Sequence, residues 1–280
     1  MELEKLKKIA EKHDKDYREK ATALLTRMSE VVEGIGDEPI LWKPSPLKLV
    51  QATTDRGSIP KGALPGDFVI GETKIERPMK FIPLRIWEGR QMWSPDQNES
   101  KLLCSSIDAK IGYKGVYCNQ CPHSRFDEVA RKSECGKTHN MIAIAPDLSD
   151  IFTVTFAKTN FATGGALKTA ATKAGVPLYR RVYGLNSETN KKYKNVENYA
   201  LELLGPEERQ VPEAALGFLK ELFDVITVDR KETVEKFHEY ALSHKEDTEA
   251  LPAPEDGTTV LLEGGDEPAT ESSLSKNYAV

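Results

Sequence analysis

All four cysteines of the chain, Cys104, Cys118, Cys121 and Cys135, fall within 32 residues in the spacing C-x13-C-x2-C-x13-C. Cys118-Asn119-Gln120-Cys121 is the short knuckle that lets two thiolates grip one tetrahedral metal ion. Zn2+ suits such a set because its filled d shell imposes no geometry and sulfur donors neutralise its charge. Four thiolates leave no open position for water, so the one zinc per chain expected here is structural and not catalytic. An iron–sulfur cluster uses the same ligand set. A redox pair at Cys118 and Cys121 is a third reading, opposed by the missing βαβ pattern and by two further cysteines nearby. His123 and His139 are the reserve ligands.

The second kind of chemistry is electrostatic. The 280 residues carry a net charge of −5, but residues 206–280 hold a net −11 and residues 1–205 a net +6. Between positions 153 and 194 stand Lys158, Lys168, Lys173, Arg180, Arg181, Lys191, Lys192 and Lys194, with Glu188 as the one acidic residue. This is the footprint of a surface that meets a polyanion, although a solvated basic face produces the same count.

The elements that must position these groups follow from periodicity. Residues 80–87 alternate, placing Ile82, Leu84 and Ile86 on one face and Phe81, Arg85 and Trp87 on the other, with Pro83 marking an edge or a bulge. Residues 141–145 and 151–157 read as two strands of a hairpin. Residues 165–174 read as a helix stopped by Gly175 and Pro177. Residues 179–186 and 199–204 read as two more strands, the first with Tyr179, Arg181 and Tyr183 opposite Val182. Aromatics and arginines thus share one face twice. Residues 67–70 suit an additional strand ahead of these.

Around this core, residues 1–34 read as one amphipathic helix, which packs on its own domain or serves for self-association. Residues 35–66, with five prolines and four glycines, read as a linker or extended arm. The central domain is expected over 67–205, with a zinc subdomain at 94–139. Two helices are expected over 206–242, the second starting at Asp229. Residues 243–280, with nine acidic and two basic residues, read as a disordered acidic tail.

The expected fold class is mainly β with helical appendages (α+β). The order strand, strand, strand, helix, strand, strand resembles the OB-fold, a five-stranded barrel whose outer face and two loops bind oligonucleotides. The four-cysteine zinc insertion then lies between its first two strands. With a basic aromatic face and an acidic C-terminal tail, this resembles the single-stranded-DNA-binding proteins encoded by phages, including those with a zinc subdomain beside the barrel. The resemblance runs from Phe81-Ile82-Pro83-Leu84-Arg85-Ile86-Trp87 through the cysteines to Tyr179, 99 residues. The chain departs from those relatives in using four cysteines without a histidine, and in ending Asn277-Tyr278-Ala279-Val280. The resemblance implies a non-catalytic protein acting on single-stranded DNA in replication or recombination, with replication proteins as partners of the tail. Its expected contacts are Phe81, Arg85, Trp87, Lys158, Tyr179, Arg181, Tyr183, Lys191, Lys192 and Lys194. The alternative is a zinc-stabilised adaptor or regulator in transcription or recombination, meeting a protein or duplex DNA.

Several classes find no support. No apolar run approaches the ~20 residues that span a bilayer, and the charged opening does not read as a signal peptide, so a cytoplasmic location is expected, the host's if phage-encoded. The chain has no G-x-x-x-x-G-K-[ST], G-x-S-x-G or H-E-x-x-H motif and no paired-carboxylate constellation.

Overall fold

Residues Met79–Trp93 form one 15-residue strand, β4, that organises the rest of the molecule. The computed structural model describes residues 19–20, 22–23, 44–94, 101–128 and 133–243. Among them the remaining strands are β1 (Ser45–Leu49), β2 (Phe68–Ile70), β3 (Thr73–Ile75), β5 (Leu102–Ser106), β6 (Cys135–Ile144), β7 (Ile151–Ala157), β8 (Tyr183–Thr189) and β9 (Glu197–Glu202). Two helices of more than one turn accompany them, α1 (Phe161–Lys173) between β7 and β8, and α2 (Glu213–Ser243) after β9. The fold is therefore mostly β with a few helices, a curled, barrel-like α+β arrangement.

Strand neighbours run β3-β2-β1-β7-β6-β4-β8-β9, with β5 attached to β4. One edge of β4 pairs with β6 from Ile82 to Met92. Its other edge is shared, by β8 at Met79–Phe81 and by β5 at Arg90–Trp93. Side chains join β9, at one end of this order, to β1 and the residues that follow it. Gln51 donates from Nε2 to the Glu197 carbonyl (3.0 Å) and accepts the Glu197 N–H at Oε1 (2.7 Å). The Tyr199 hydroxyl donates to the Leu47 carbonyl (3.3 Å).

Two apolar clusters lie on opposite faces of this sheet. The inner one gathers Leu47, Phe68, Phe81, Met141, Phe152, Phe156, Leu167 and Leu185. The outer one sets Ile82, Leu84, Ile144, Leu148, Tyr179 and Val182 against Ala215, Phe218, Leu219, Leu222 and Ile226 of α2. Helix α1 reaches the inner cluster because Gly164 has no Cβ. One added there would lie 2.7 Å from the Cβ of His139 and 2.9 Å from that of Phe156.

The bulge expected at Pro83 is present: the β4–β6 register shifts between Pro83 and Arg85. Proline has no N–H to give to the ladder, and the extra residue reverses the phase of alternation. Phe81 and Ile86 therefore belong with the inner cluster, while Ile82, Leu84, Arg85 and Trp87 lie on the α2 side. The expected grouping of Phe81 with Arg85 and Trp87 is corrected accordingly.

Three boundaries also change. The Pro/Gly-rich stretch is no free arm over its described part, because Ser45–Leu49 enters the sheet as β1, parallel to β7 and antiparallel to β2. Pro46 is tolerated because β7 pairs only with Ser45 and Pro46 and β2 only from Leu47 onward. Residues 68–70 do form a strand, and β3 and β5 join it unforeseen. The two C-terminal helices are one, since no Gly or Pro interrupts residues 218–243 and Asp229 lies inside a continuous helix. Glu19, Lys20, Thr22 and Ala23 are helical and exposed. The remainder of the N-terminal segment and the acidic tail from 244 on lie outside the described residues. No helix among the described residues is long and apolar enough to cross a membrane.

Candidate metal centre and nucleic-acid interface

Two of the four cysteines, Cys104 and Cys135, stand on β5 and β6 beside the end of β4, and Cys118 and Cys121 lie in the insertion between them. Met92 of β4 pairs with Cys104 of β5 on one side and with Cys135 of β6 on the other, so both thiols leave the sheet on the same face. The knuckle is held by the backbone. The Cys118 N–H donates to the Lys110 carbonyl (2.8 Å), closing a small hairpin whose Gly112 N–H reaches the Val116 carbonyl (2.9 Å). The Ser124 hydroxyl donates to the carbonyls of Cys118 and Cys121. None of the four cysteines is in a disulfide.

The cysteines lie near enough for a charge on one to be felt at another. Burial pushes the Cys135 thiol up to about 11, Arg90 opposes this, and the other three cysteines push it further. Burial, with Cys118 and Cys121, raises Cys104 too. Burial also raises Cys118 against a hydrogen bond with Ser106. Four thiolates placed together would demand a compensating cation. The donor types are those that a tetrahedral zinc ion takes. As they stand, no three His, Cys, Asp or Glu side chains among the described residues are drawn together into a group that grips a metal. His123 bonds Glu134 instead (2.5 Å), and His139 is buried against Phe161, ring centroids 4.3 Å apart.

The residues expected to touch nucleic acid are distributed over several places. Phe81 is fully buried and stacks on Tyr183 (6.2 Å), so its ring presents no face to a base. Tyr179 is buried as well, in a 3-10 turn beneath α2 with its ring 5.4 Å from that of Phe223. Tyr179 and Tyr183 do not share a face, because β8 begins only at Tyr183. Both corrections have one cause: a large ring beside an apolar cluster gains more from burial than from exposure. Arg85 and Trp87 lie under α2, Arg85 donating to the Thr227 hydroxyl (2.9 Å) and Trp87 carrying the Arg230 guanidinium 4.6 Å from its ring centroid.

The basic residues remain at the surface. Lys158 is exposed at the end of β7, and Arg181 is half-exposed beside Gln210. Lys191, Lys192 and Lys194 are exposed in the β8–β9 turn. Asn190 shapes that turn by accepting the N–H groups of Lys192 and Tyr193, each at 2.9 Å. Lys192 Nζ sits 5.2 Å from the centroid of Tyr193, which is itself half-exposed.

Four aromatic rings open to solvent escape a reading by strand alternation, because they sit in turns: Tyr113, Tyr117 and Phe126 in the cysteine insertion, and Tyr193 between the lysines. For three of the four the signal is an aromatic residue next to a basic one, in Tyr113-Lys114, Arg125-Phe126 and Lys192-Tyr193-Lys194; Tyr117, between Val116 and Cys118, carries none.

The outer face of the sheet also carries a polar row. Trp87, Asn140 and Thr155 pair across β4, β6 and β7. The Thr155 hydroxyl donates to Asn140 Oδ1 (2.9 Å), and Asn140 Nδ2 donates to Thr138 Oγ1 (3.0 Å). Gly89 makes room, since a Cβ there would come within 2.7 Å of Asn140 Nδ2 and 2.9 Å of the Ser106 carbonyl. No protein-family model, curated protein or solved structure matches the chain.

Proposed function

We propose that this chain is a non-catalytic single-stranded-DNA-binding protein with an OB-type barrel stabilised by one zinc ion, acting in phage-type replication or recombination. One observation carries the reading. Ignoring β1, β2, β3 and β5, the strands pair in the order β7-β6-β4-β8-β9 with α1 between β7 and β8. Numbered as five, that is 3-2-1-4-5 with a helix between the third and fourth. Barrels of this kind bind oligonucleotides on the face of strands 2 and 3 and on the loops joining strands 1–2 and 4–5.

In this chain both loops carry rings and cations in the open. The 1–2 connection is the cysteine insertion, with Tyr113, Tyr117 and Phe126; the 4–5 connection carries Tyr193 among three lysines. Single strands need these two groups: cations along the phosphates and flat rings under the bases, each stacked base contributing about 1–3 kcal/mol. Cys104, Cys118, Cys121 and Cys135 would hold the zinc, whose chemistry is to crosslink the insertion that presents the rings.

Titration of oligo(dT) and of duplex of equal length, across a range of salt, tests the reading. Binding should favour the single strand and weaken with salt, at a log–log slope of about −0.7 per phosphate neutralised. Replacing Lys192 and Lys194 by Ala should flatten the slope. Tyr193→Ala should weaken binding with the slope nearly unchanged. Binding to duplex alone, or none at low salt, would favour the adaptor that meets a protein or duplex.

A further inference from the structure

Helix α2 has two unlike halves. From Ala215 to Ile226 it buries Ala215, Phe218, Leu219, Leu222 and Ile226 in the outer cluster. Past Ile226 its buried residues reduce to Ala241, and Val228, Tyr240 and Leu242 are exposed. This second half is fastened to the sheet and the cysteine insertion by polar contacts. Thr227 accepts from Arg85, Arg230 donates to the Ile107 carbonyl, and His238 pairs with Asp108 (3.0 Å).

What lies beneath it is unusual for a helix-packing surface. Trp87 offers an indole face, and the Arg230 guanidinium covers it. Arg85 lies close enough to Arg230 for the two cations to repel, and its buried Nε has no hydrogen-bond partner among the described residues. Beside them runs the Asn140–Thr155 polar row. A flat ring, a guanidinium short of acceptors and neighbouring amide and hydroxyl groups form the complement of one nucleotide unit: base on Trp87, phosphate on Arg85.

We propose that Trp87 and Arg85 form a concealed nucleotide site, and that α2 from Thr227 onward is a strap closing it, with Arg230 occupying the place of the base. The inference rests on the single-strand reading given above. It adds a site on the β4 face to the two loops, together with a competitor internal to the chain. The apolar half of the helix stays docked while the polar half lifts, since regions with few buried apolar contacts open at lower free energy. A bound phosphate relieves the Arg85–Arg230 repulsion that the closed strap retains.

The test uses the full chain with Trp42→Phe and Trp93→Phe, leaving Trp87 as the sole indole reporter, titrated with oligo(dT) at low salt. Trp87 emission should fall as the strand binds. Arg230→Lys keeps the charge but loses the planar cap, and should raise affinity about three- to tenfold by removing part of the cost of opening. Hydrogen exchange should be at least about tenfold faster in residues 228–243 than in 215–226. Strand binding with unchanged Trp87 emission would overturn the concealed site and leave the loop-based function standing. Equal exchange in the two halves would overturn the strap whatever the ligand. No binding to any single strand would overturn both this inference and the function on which it rests. Should Arg230→Lys fail to fold, the emission of the parent reporter chain alone still decides.

Discussion

The β-sheet body and the cysteine insertion are built on different physics. In the body, Phe68, Phe81, Phe152, Phe156, Phe218, Ile82, Leu84, Met141, Ile144 and Leu148 are all essentially without solvent contact. Within described residues 101–128, Ile111 is the one large aliphatic side chain that is buried, while Tyr113, Tyr117 and Phe126 point outward. Burial of apolar area, at about 25 cal/mol per Å2, holds the first region. Backbone turns hold the described part of the second, with the zinc proposed for its cysteines as the added crosslink. A segment with so little core needs a crosslink to keep its shape, and its aromatic residues are then free to stand at the surface.

The largest effect should follow from emptying the body. Phe81→Ala removes a ring enclosed in the inner cluster and should cost about 3–5 kcal/mol, read as a lower midpoint in urea with an unchanged slope. A loss below about 1 kcal/mol would mean that the inner cluster does not carry the body's stability.

A smaller effect is expected at the rim of the body, where the one carboxylate buried among the described residues lies. Asp67 is 5% exposed; burial pushes its carboxyl up, but the Lys74 ion pair (2.7 Å), the Leu64 N–H (2.8 Å) and Arg77 (3.6 Å) outweigh it and hold the group below its usual value. A lowered folded-state value means that its stabilisation is complete above the unfolded value of about 4 and is lost as pH falls through the folded one. Asp67→Asn should therefore cost about 1–2 kcal/mol at pH 7, and the gap to the parent should narrow below about pH 4. A gap constant from pH 7 to pH 3 would remove the ionised carboxylate from the account.

The smallest effect on the body should come from the insertion. Cys118→Ser and Cys121→Ser are expected to abolish zinc binding, measured as metal per chain in reduced protein, and to expose residues 101–128 to protease. The main unfolding transition should move by less than about 1 kcal/mol, because apolar burial of the body is untouched. A shift as large as that of Phe81→Ala would erase the distinction between the two regions.

Local chemistry made several features legible in the sequence. The mostly β character, the helix between Ala157 and Tyr183, the bulge that is one of two readings of Pro83 and a strand within residues 67–70 follow from alternation and from the donor that proline lacks, whereas β3 and β5 do not stand out. The spacing of the four cysteines points to a metal site, whereas the described residues draw no three such side chains into a metal-holding group. Tertiary structure decided which face each side chain took. Passing Pro83, alternation reverses, so Phe81 went inside and Arg85 and Trp87 went beneath α2. Ser45–Leu49 reads as an arm by composition and becomes a strand because β2 and β7 offer it unpaired edges. Asp229-Arg230 reads as a helix start, yet the helix runs through it where Arg230 meets Trp87 and the Ile107 carbonyl. Periodicity describes a segment against itself; burial is a property of what covers it, and the helix that covers Arg85 and Trp87 lies more than a hundred residues away.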